Sequence, residues 1–437
     1  MPRNPRQRPE DNVSVLIRAA RVCAGVIIGL LLVVGDAGRL GTVAQSTSAA
    51  TEPGISSISE LSIDTGQMNH LGDTRRYNYV ILQEYMYSHV AEIKRANPRT
   101  KVLAYLEAAT VRRRSCAADP SQRPYTPHDS FGVDYCYVAR AHPEWFLHNS
   151  AGARLAYANY PGYMVMDIGD RGYQRSWVAN AIAATRSDGF DGVYIDDVNT
   201  YPGHGIDGQI SEYTDRAYGR AMTSFVATAS TGLRANGLIV AANVAANPWT
   251  AWQRAYGLKI ASHLSAYVRE HYSRYGDICG PFSERFAATA GSDVPPLRQL
   301  MAYDHAVQAA GANLLGIDYG YSPATARDLA AMAYGRAVFL LAWDGKAGGA
   351  YIYRPCGPVD PASAAWTLDL GTPTAAAVLT GAVFQRSYSH GLVFLNPSRD
   401  RTATISVPAG YVNDHGIRVS GSVELAPVTA LLLRRTH

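Results

Sequence analysis

Two neighbouring carboxylates, Asp196 and Asp197, close the stretch GFDGVYIDDV at positions 189–198. Phe190, Val193, Tyr194 and Ile195 before them are strand formers, and Asp188-Gly189 ahead of the run is a turn signal. Like charges side by side repel, so the pair is either solvated or placed for chemistry. Other acids stand in the same kind of place, at the end of an apolar run: Asp64 in ISELSID, Glu107 in KVLAYLEA, Glu270 in HLSAYVRE and Asp318 in ANLLGIDYG. Gln83-Glu84 closes YVILQ in the same way, Asn243 closes GLIVAAN, Tyr319 follows Asp318, and Trp343 ends VFLLAW. Asp167, in MDIGD, precedes a helical pattern. Two carboxylates across a cleft are the minimum for glycoside hydrolysis. One protonates the leaving oxygen, and the other attacks the anomeric carbon or activates water. Their surroundings push the two pKa values apart, which divides the roles.

Other chemistries have no matching pattern. There is no HExxH, no paired-His helix and no Cys/His cluster, and His128, His142, His148 and His204 are scattered, so neither a metal nor another cofactor is expected. There is no GxSxG for a serine hydrolase.

The acids need elements that converge. Strand-like runs fall at 58–64, 79–83, 101–108, 189–198, 237–243, 263–270, 312–320 and 338–344. Helical patterns lie between them, at 86–96, 171–187, 211–234, 296–311 and 324–337. Eight strands alternating with helices predict an α/β chain, a (β/α)8 TIM barrel over residues 55–345. A doubly wound sheet would place a Gly-rich phosphate loop after its first strand, and SIDTGQMNH is not one. In a barrel the site lies at the C-terminal ends of the strands, where these groups fall. Strand alternation puts Val193 and Ile195 against the helices and Tyr194 and Asp196 towards the barrel interior, and lets Glu270 point inward with Ala266 and Val268. Asp197 should then turn away or lie in the loop. Asp196 and Glu270 are the expected catalytic pair. Asp64, Glu107, Asp167, Asp197, Asn243, Asp318, Tyr319 and Trp343 are expected to bind substrate. Beyond Lys346 the runs GAVFQRSY, GLVFLNPS, TATISVP, RVSGSVEL and TALLLRR, with turn residues between, predict a small all-β sandwich over 346–437.

With 47% apolar and 17% charged residues in 437, the chain has a sizeable core and is not disordered. A net charge of +4 with no basic stripe gives no reason to expect nucleic acid as a partner. The 28 Tyr and 6 Trp supply rings on which sugars stack. Arg3, Arg6, Arg8, Arg18 and Arg21 precede the apolar run VCAGVIIGLLLVVG at 22–35, so residues 1–50 read as a signal peptide, or an uncleaved membrane anchor, with a Ser/Thr-rich linker. The expected location is secreted or attached to the cell envelope, as a monomer. Setting Cys23 aside, Cys116, Cys136, Cys279 and Cys356 suit two disulfides in an exported chain, Cys116–Cys136 and Cys279–Cys356 being the favoured pairing.

The motifs SIDTGQ, LAYLEA, MDIGD and GFDGVYIDDV together resemble the glycoside hydrolases of the endo-α-1,4-polygalactosaminidase-like type. The resemblance covers residues 55–437, and GLVFLNPS and APVTALLL are similar to the β-sandwich that closes many such enzymes. It implies an exported (β/α)8 barrel acting on a polysaccharide or oligosaccharide. It also implies catalytic acids after strands four and six, which here are Asp196 and Glu270. The Cys116–Cys136 loop and the segment 271–296 depart from the pattern. Two other readings stay open: a non-catalytic carbohydrate-binding barrel, and a metal-dependent polysaccharide deacetylase.

Overall fold

The computed structural model describes residues 61–62, 77–117, 123–202, 205–273, 294–319, 326–354 and 368–436. Asp64, Cys279, Cys356 and the expected export segment lie outside the described residues. Residues Glu52–His437 form one unit.

In chain order the first half contains β1 (Leu61–Ser62), β2 (Tyr79–Gln83), α1 (Val90–Ala96), β3 (Lys101–Glu107), β4 (Thr110–Arg112), α2 (Tyr135–Ala141), β5 (Ala156–Tyr157), β6 (Tyr160–Val165), α3 (Arg171–Asp188) and β7 (Gly192–Asn199). Then come α4 (Asp215–Ala235), β8 (Ile239–Ala245), α5 (Ala251–Ala261), β9 (Ala266–Glu270), α6 (Val294–Ala309), β10 (Asn313–Tyr319), α7 (Ala326–Ala342) and β11 (Ala350–Arg354). The rest is strand: β12 (Val378–Thr380), β13 (Val383–Tyr388), β14 (Gly391–Asn396), β15 (Ala403–Val412), β16 (Arg418–Leu425) and β17 (Thr429–Arg435).

Eight strands build the parallel sheet of the (β/α)8 barrel, in the order β1-β2-β3-β7-β8-β9-β10-β11. Its strands are apolar on both faces because helices cover the outside and side chains fill the inside. Tyr79, Val80, Ile81 and Leu82 of β2 are all buried, and alternate residues serve two different cores. Local chemistry sets the long helices. Asp170 caps α3 by accepting from Tyr173 N at 2.8 Å, and Gly189 closes it at φ 76°. Thr214 caps α4 through Ala217 N at 3.3 Å. Between β3 and α3 the chain makes a long excursion over the C-terminal end of the barrel, carrying the three-stranded sheet β4-β6-β5. The Cys116–Cys136 disulfide, as expected, pins this excursion to α2.

Seven of the eight barrel strands lie where the apolar runs placed them. The eighth does not. VFLLA is the last part of α7, Trp343 follows it, and the strand is β11, beyond the expected boundary at 345. The cause is burial on every side. Ala337 through Ala342 are fully covered, because α7 lies between the barrel and the C-terminal sheet, so its sequence shows no polar face and no helical period. This moves Trp343. Its indole donates to the Lys346 carbonyl at 3.0 Å, and the neighbouring Asp344 N donates to Gln308, at the end of α6, at 2.7 Å. Trp343 therefore sits beside the start of β10, at the N-terminal end of the strands. The expectation that it binds substrate is wrong.

The C-terminal domain is a six-stranded antiparallel sheet, β12-β13-β14-β17-β15-β16, that folds over into two layers. Alternate residues of β13, β14 and β17 serve two cores. Phe384, Val393, Leu395 and Leu432 join the barrel core, while Val383, Phe394 and Leu433 face Val407, Tyr411 and Leu425 of β15 and β16. Arg386 and Tyr388 reach across to α7. The Arg386 guanidinium donates to the carbonyls of Leu340 at 2.8 Å, Leu341 at 3.1 Å and Trp343 at 2.6 Å, and Tyr388 Oη donates to Leu340. These carbonyls end a helix and have no partners within it. Among the described residues no helix is long and apolar enough to cross a membrane.

Candidate active site

Parallel pairing aligns the strand ends. Tyr105 stands opposite Tyr194 and Glu107 opposite Asp196, while Asn243 pairs with Val268 and Ile317 with Glu270. Partners in register share a face, so Tyr105, Glu107, Tyr194, Asp196, Asn243, Glu270 and Tyr319 all face the barrel interior. Each of the two expected catalytic acids is held by a tyrosine from below. Tyr105 Oη donates to Asp196 Oδ2, and Tyr194 Oη donates to Glu270 Oε1 at 2.9 Å. The two tyrosine rings stack at 5.7 Å. Asp196 Oδ1 accepts two further bonds, from Asn243 Nδ2 at 2.9 Å and from the Asp197 backbone N at 2.8 Å. Tyr319 gives Glu270 a second hydrogen bond.

Electrostatics separates the acids. Burial, and then the charge of Asp196, push the Glu270 carboxyl up to about 8, against the opposing pull of Tyr194 and Tyr319. Burial, and then Asp197, also raise Asp196, but its three donors all favour its ionised form. Burial and the charges of Asp197 and Asp196 hold Glu107 well above the usual carboxylate range. At neutral pH the arrangement keeps a proton on Glu270 and concentrates hydrogen-bond donors on Asp196.

Asp197 departs from expectation. It does not turn away. The register of β7 against β8 shifts between Ile195 and Val198, a bulge that adds one residue, and Asp197 takes the left-handed conformation at φ 54°. Its carboxyl thereby also reaches the mouth, hydrogen-bonded to Glu107 and Tyr157. Adjacent aspartates that simple alternation would send to opposite faces both reach the cleft. Glu107, otherwise covered, accepts from Ala109 N at 2.9 Å.

Asp167 lies in the turn before α3 and accepts from Gly169 N at 2.9 Å and from Tyr213 Oη. Asp318 is a second correction. It is fully buried and points out of the barrel towards α7, accepting from Ser273 N and Tyr351 Oη, each at 2.8 Å, and from Ser273 Oγ. It is covered by these partners and does not open onto the cleft. Sequence reasoning missed Tyr105 and Tyr157. Tyr105 was detectable: it precedes Glu107 by two residues, as Tyr194 precedes Asp196, and a spacing of two keeps both on one face of a strand.

Comparison with known proteins places the chain in a family and supports the barrel fold. The model of the family GHL15, hypothetical glycosyl hydrolase family 15, matches residues 94–392. No protein of curated function matches the sequence. Trehalose-6-phosphate hydrolase of Bacillus licheniformis is similar in structure, at TM-score 0.50 and 9% identity, over 88% of this chain and 99% of that one. So is a GH27 β-L-arabinopyranosidase of Geobacillus stearothermophilus, at TM-score 0.50 and 9% identity, over 88% and 97% of the two chains. At such identity these two speak for the barrel fold and nothing finer. The family match, over more than half of the chain, is what assigns the protein: it belongs to hypothetical glycosyl hydrolase family 15 and is a glycoside hydrolase.

Proposed function

We propose that the enzyme cleaves O-glycosidic bonds of a polysaccharide by a two-carboxylate mechanism, with Glu270 as general acid and Asp196 as nucleophile or base. One observation carries this reading. Asp196 and Glu270 face the same cleft, each oriented by a tyrosine, with the Glu270 proton retained near neutral pH and Asp196 collecting the donors that favour its anion. In the reaction, Glu270 gives its proton to the leaving oxygen as the glycosidic bond breaks. Asp196 either bonds to the anomeric carbon or takes the proton of an attacking water. Glu107 and Asp197 share a site for sugar hydroxyls, and Asn243 and Tyr105 position Asp196.

A polymeric substrate is supported by aromatic surface at the mouth. Tyr160 is 51% exposed and its ring lies tilted 5.6 Å from that of Tyr163, whose phenol feels the charges of Arg112 and Glu107. Rings at that place suit the faces of successive sugars. The motif resemblance makes an amino-sugar polymer the first substrate to try. Action outside the cytoplasm is supported by the basic-then-apolar N-terminal sequence and by the Cys116–Cys136 disulfide.

The test is product release from a panel of envelope and biofilm polysaccharides. Asp196→Asn and Glu270→Gln should each lower the rate by at least about 10²–10⁴-fold with the fold intact by circular dichroism. Glycan binding without cleavage by the wild type would favour a binding module. Equal activity in all three proteins would place the site elsewhere.

A further inference from the structure

On the outer side of the barrel wall, a second group of ionisable side chains converges that hydrolysis does not use. Glu84 follows β2 directly and opens a short 3-10 helix over Glu84–His89. There it meets His128, from the excursion between β4 and α2, and Asp188, the last residue of α3. One ligand atom from each lies within 4.8 Å of the others. Glu84 is fully buried, and the Asp188 side chain is 8% exposed.

The group is built rather than accidental. Glu84 Oε1 accepts from His128 N at 2.9 Å and Oε2 from Ser130 N at 3.3 Å, while Glu84 N donates to Ser130 Oγ at 3.1 Å. The Tyr87 ring stacks on the His128 imidazole at 4.0 Å. His128 and Ser130 both hold left-handed backbones, at φ 64° and 58°. Yet two atoms of the group, within ion-pair distance of each other, make no hydrogen bond. These are His128 Nδ1 and Asp188 Oδ2, buried and 3.4 Å apart. Buried polar atoms without partners are rare and call for an explanation. A tetrahedral zinc ion with bonds of about 2.0–2.2 Å sets its ligand atoms about 3.3–3.6 Å apart, which matches that separation.

We propose that Glu84, His128 and Asp188 hold a zinc-class transition-metal ion, one ligand atom each, with water in the fourth position. One imidazole nitrogen and two carboxylate oxygens suit zinc better than calcium, which takes six to eight oxygens. The hydrogen bonds from His128 N and Ser130 N orient the Glu84 ligand, as outer contacts do in metal sites. The ion would act on the active site indirectly. Ser130 O accepts from Glu107 N at 2.9 Å, and Phe131 bridges to Glu107. Metal at one point and the Cys116–Cys136 disulfide at another would clamp the segment that frames Glu107.

The test uses untagged full-length protein stripped with a chelator and titrated with zinc chloride by calorimetry and native mass spectrometry. Wild type should bind one equivalent with a rise in Tm. His128→Ala and Asp188→Asn should weaken binding about 100-fold or more and lose that rise. Asp196→Asn should bind zinc like wild type, so failure of the hydrolytic mechanism would leave this site untouched. The proposal is overturned if wild type binds no zinc, binds calcium instead, or binds equally well in both site variants. It is also overturned if Asp188→Asn lowers Tm by the same amount with and without zinc, which would mark a plain His128–Asp188 ion pair.

Discussion

Glu270 and Asp196 are distinguished by their partners more than by their positions. Both lie at strand ends, and both meet a tyrosine hydroxyl. Only Asp196 adds an amide and a backbone N–H, whereas Glu270 faces the charge of Asp196. A general acid must carry its proton, so activity should fall on the alkaline side as Glu270 ionises, near its raised value of about 8. The Tyr194 hydroxyl favours ionised Glu270, so removing it raises the pKa further. Tyr194→Phe should therefore move the alkaline limb of kcat/KM to higher pH, and a limb that moves down or stays fixed would mean another group is the acid. The inward acids were legible in the sequence because alternation and the β-run fix one face. Asp318 and Tyr319 show the limit of that reasoning. They are adjacent in an alternating strand, so only one can enter the cleft, and the sequence does not say which. Asp197 shows another limit, because its bulge exists only relative to β8.

Elements decide the remaining placements. Seven barrel strands were legible as apolar runs with turns between them. β11 was hidden because α7, covered by the barrel on one side and the C-terminal sheet on the other, is apolar all round and reads like a strand. The same crowding leaves no room for a side chain at Gly335 of α7. A Cβ there would collide with Tyr351 Oη, Asp318 Oδ2 and Ser273 Oγ, three groups hydrogen-bonded together through Asp318 beneath the helix. Backbone strain is not the reason: no left-handed backbone is involved, only space. Gly335→Ala should cost about 1–3 kcal/mol in denaturant unfolding. It should leave the pH profile of the surviving activity unchanged, because Asp318 takes no part in catalysis. A shifted profile would return Asp318 to the active site.

At the scale of the molecule, barrel and C-terminal sheet share one hydrophobic core, and Arg386 fastens them. Its guanidinium answers three carbonyls at the end of α7 from within β13, with a fourth bond from Nε to the Ala375 carbonyl at 2.9 Å. Arg386→Met keeps most of the apolar stem but takes the arginine donors from the Leu341 and Trp343 carbonyls, while Leu340 keeps its bond from Tyr388. It should lower the stability of the whole protein by about 3 kcal/mol in a single transition. Two separate transitions would show that the domains fold independently.

The same arginine fixes a sequence of events in the making of the protein. The last helix of the barrel is not finished by the barrel alone: Gln308 answers the Ala342 carbonyl, but the donors to Leu340, Leu341 and Trp343 arrive some forty positions later in the chain, with Arg386 and Tyr388. As the chain leaves the ribosome, the fully apolar end of α7 emerges first and stays without its cover until β13 and β14 follow. Folding of the catalytic domain is thus completed by its neighbour rather than before it. A chain that stops short of Arg386 presents an exposed apolar helix to chaperones and proteases in place of a smaller working enzyme.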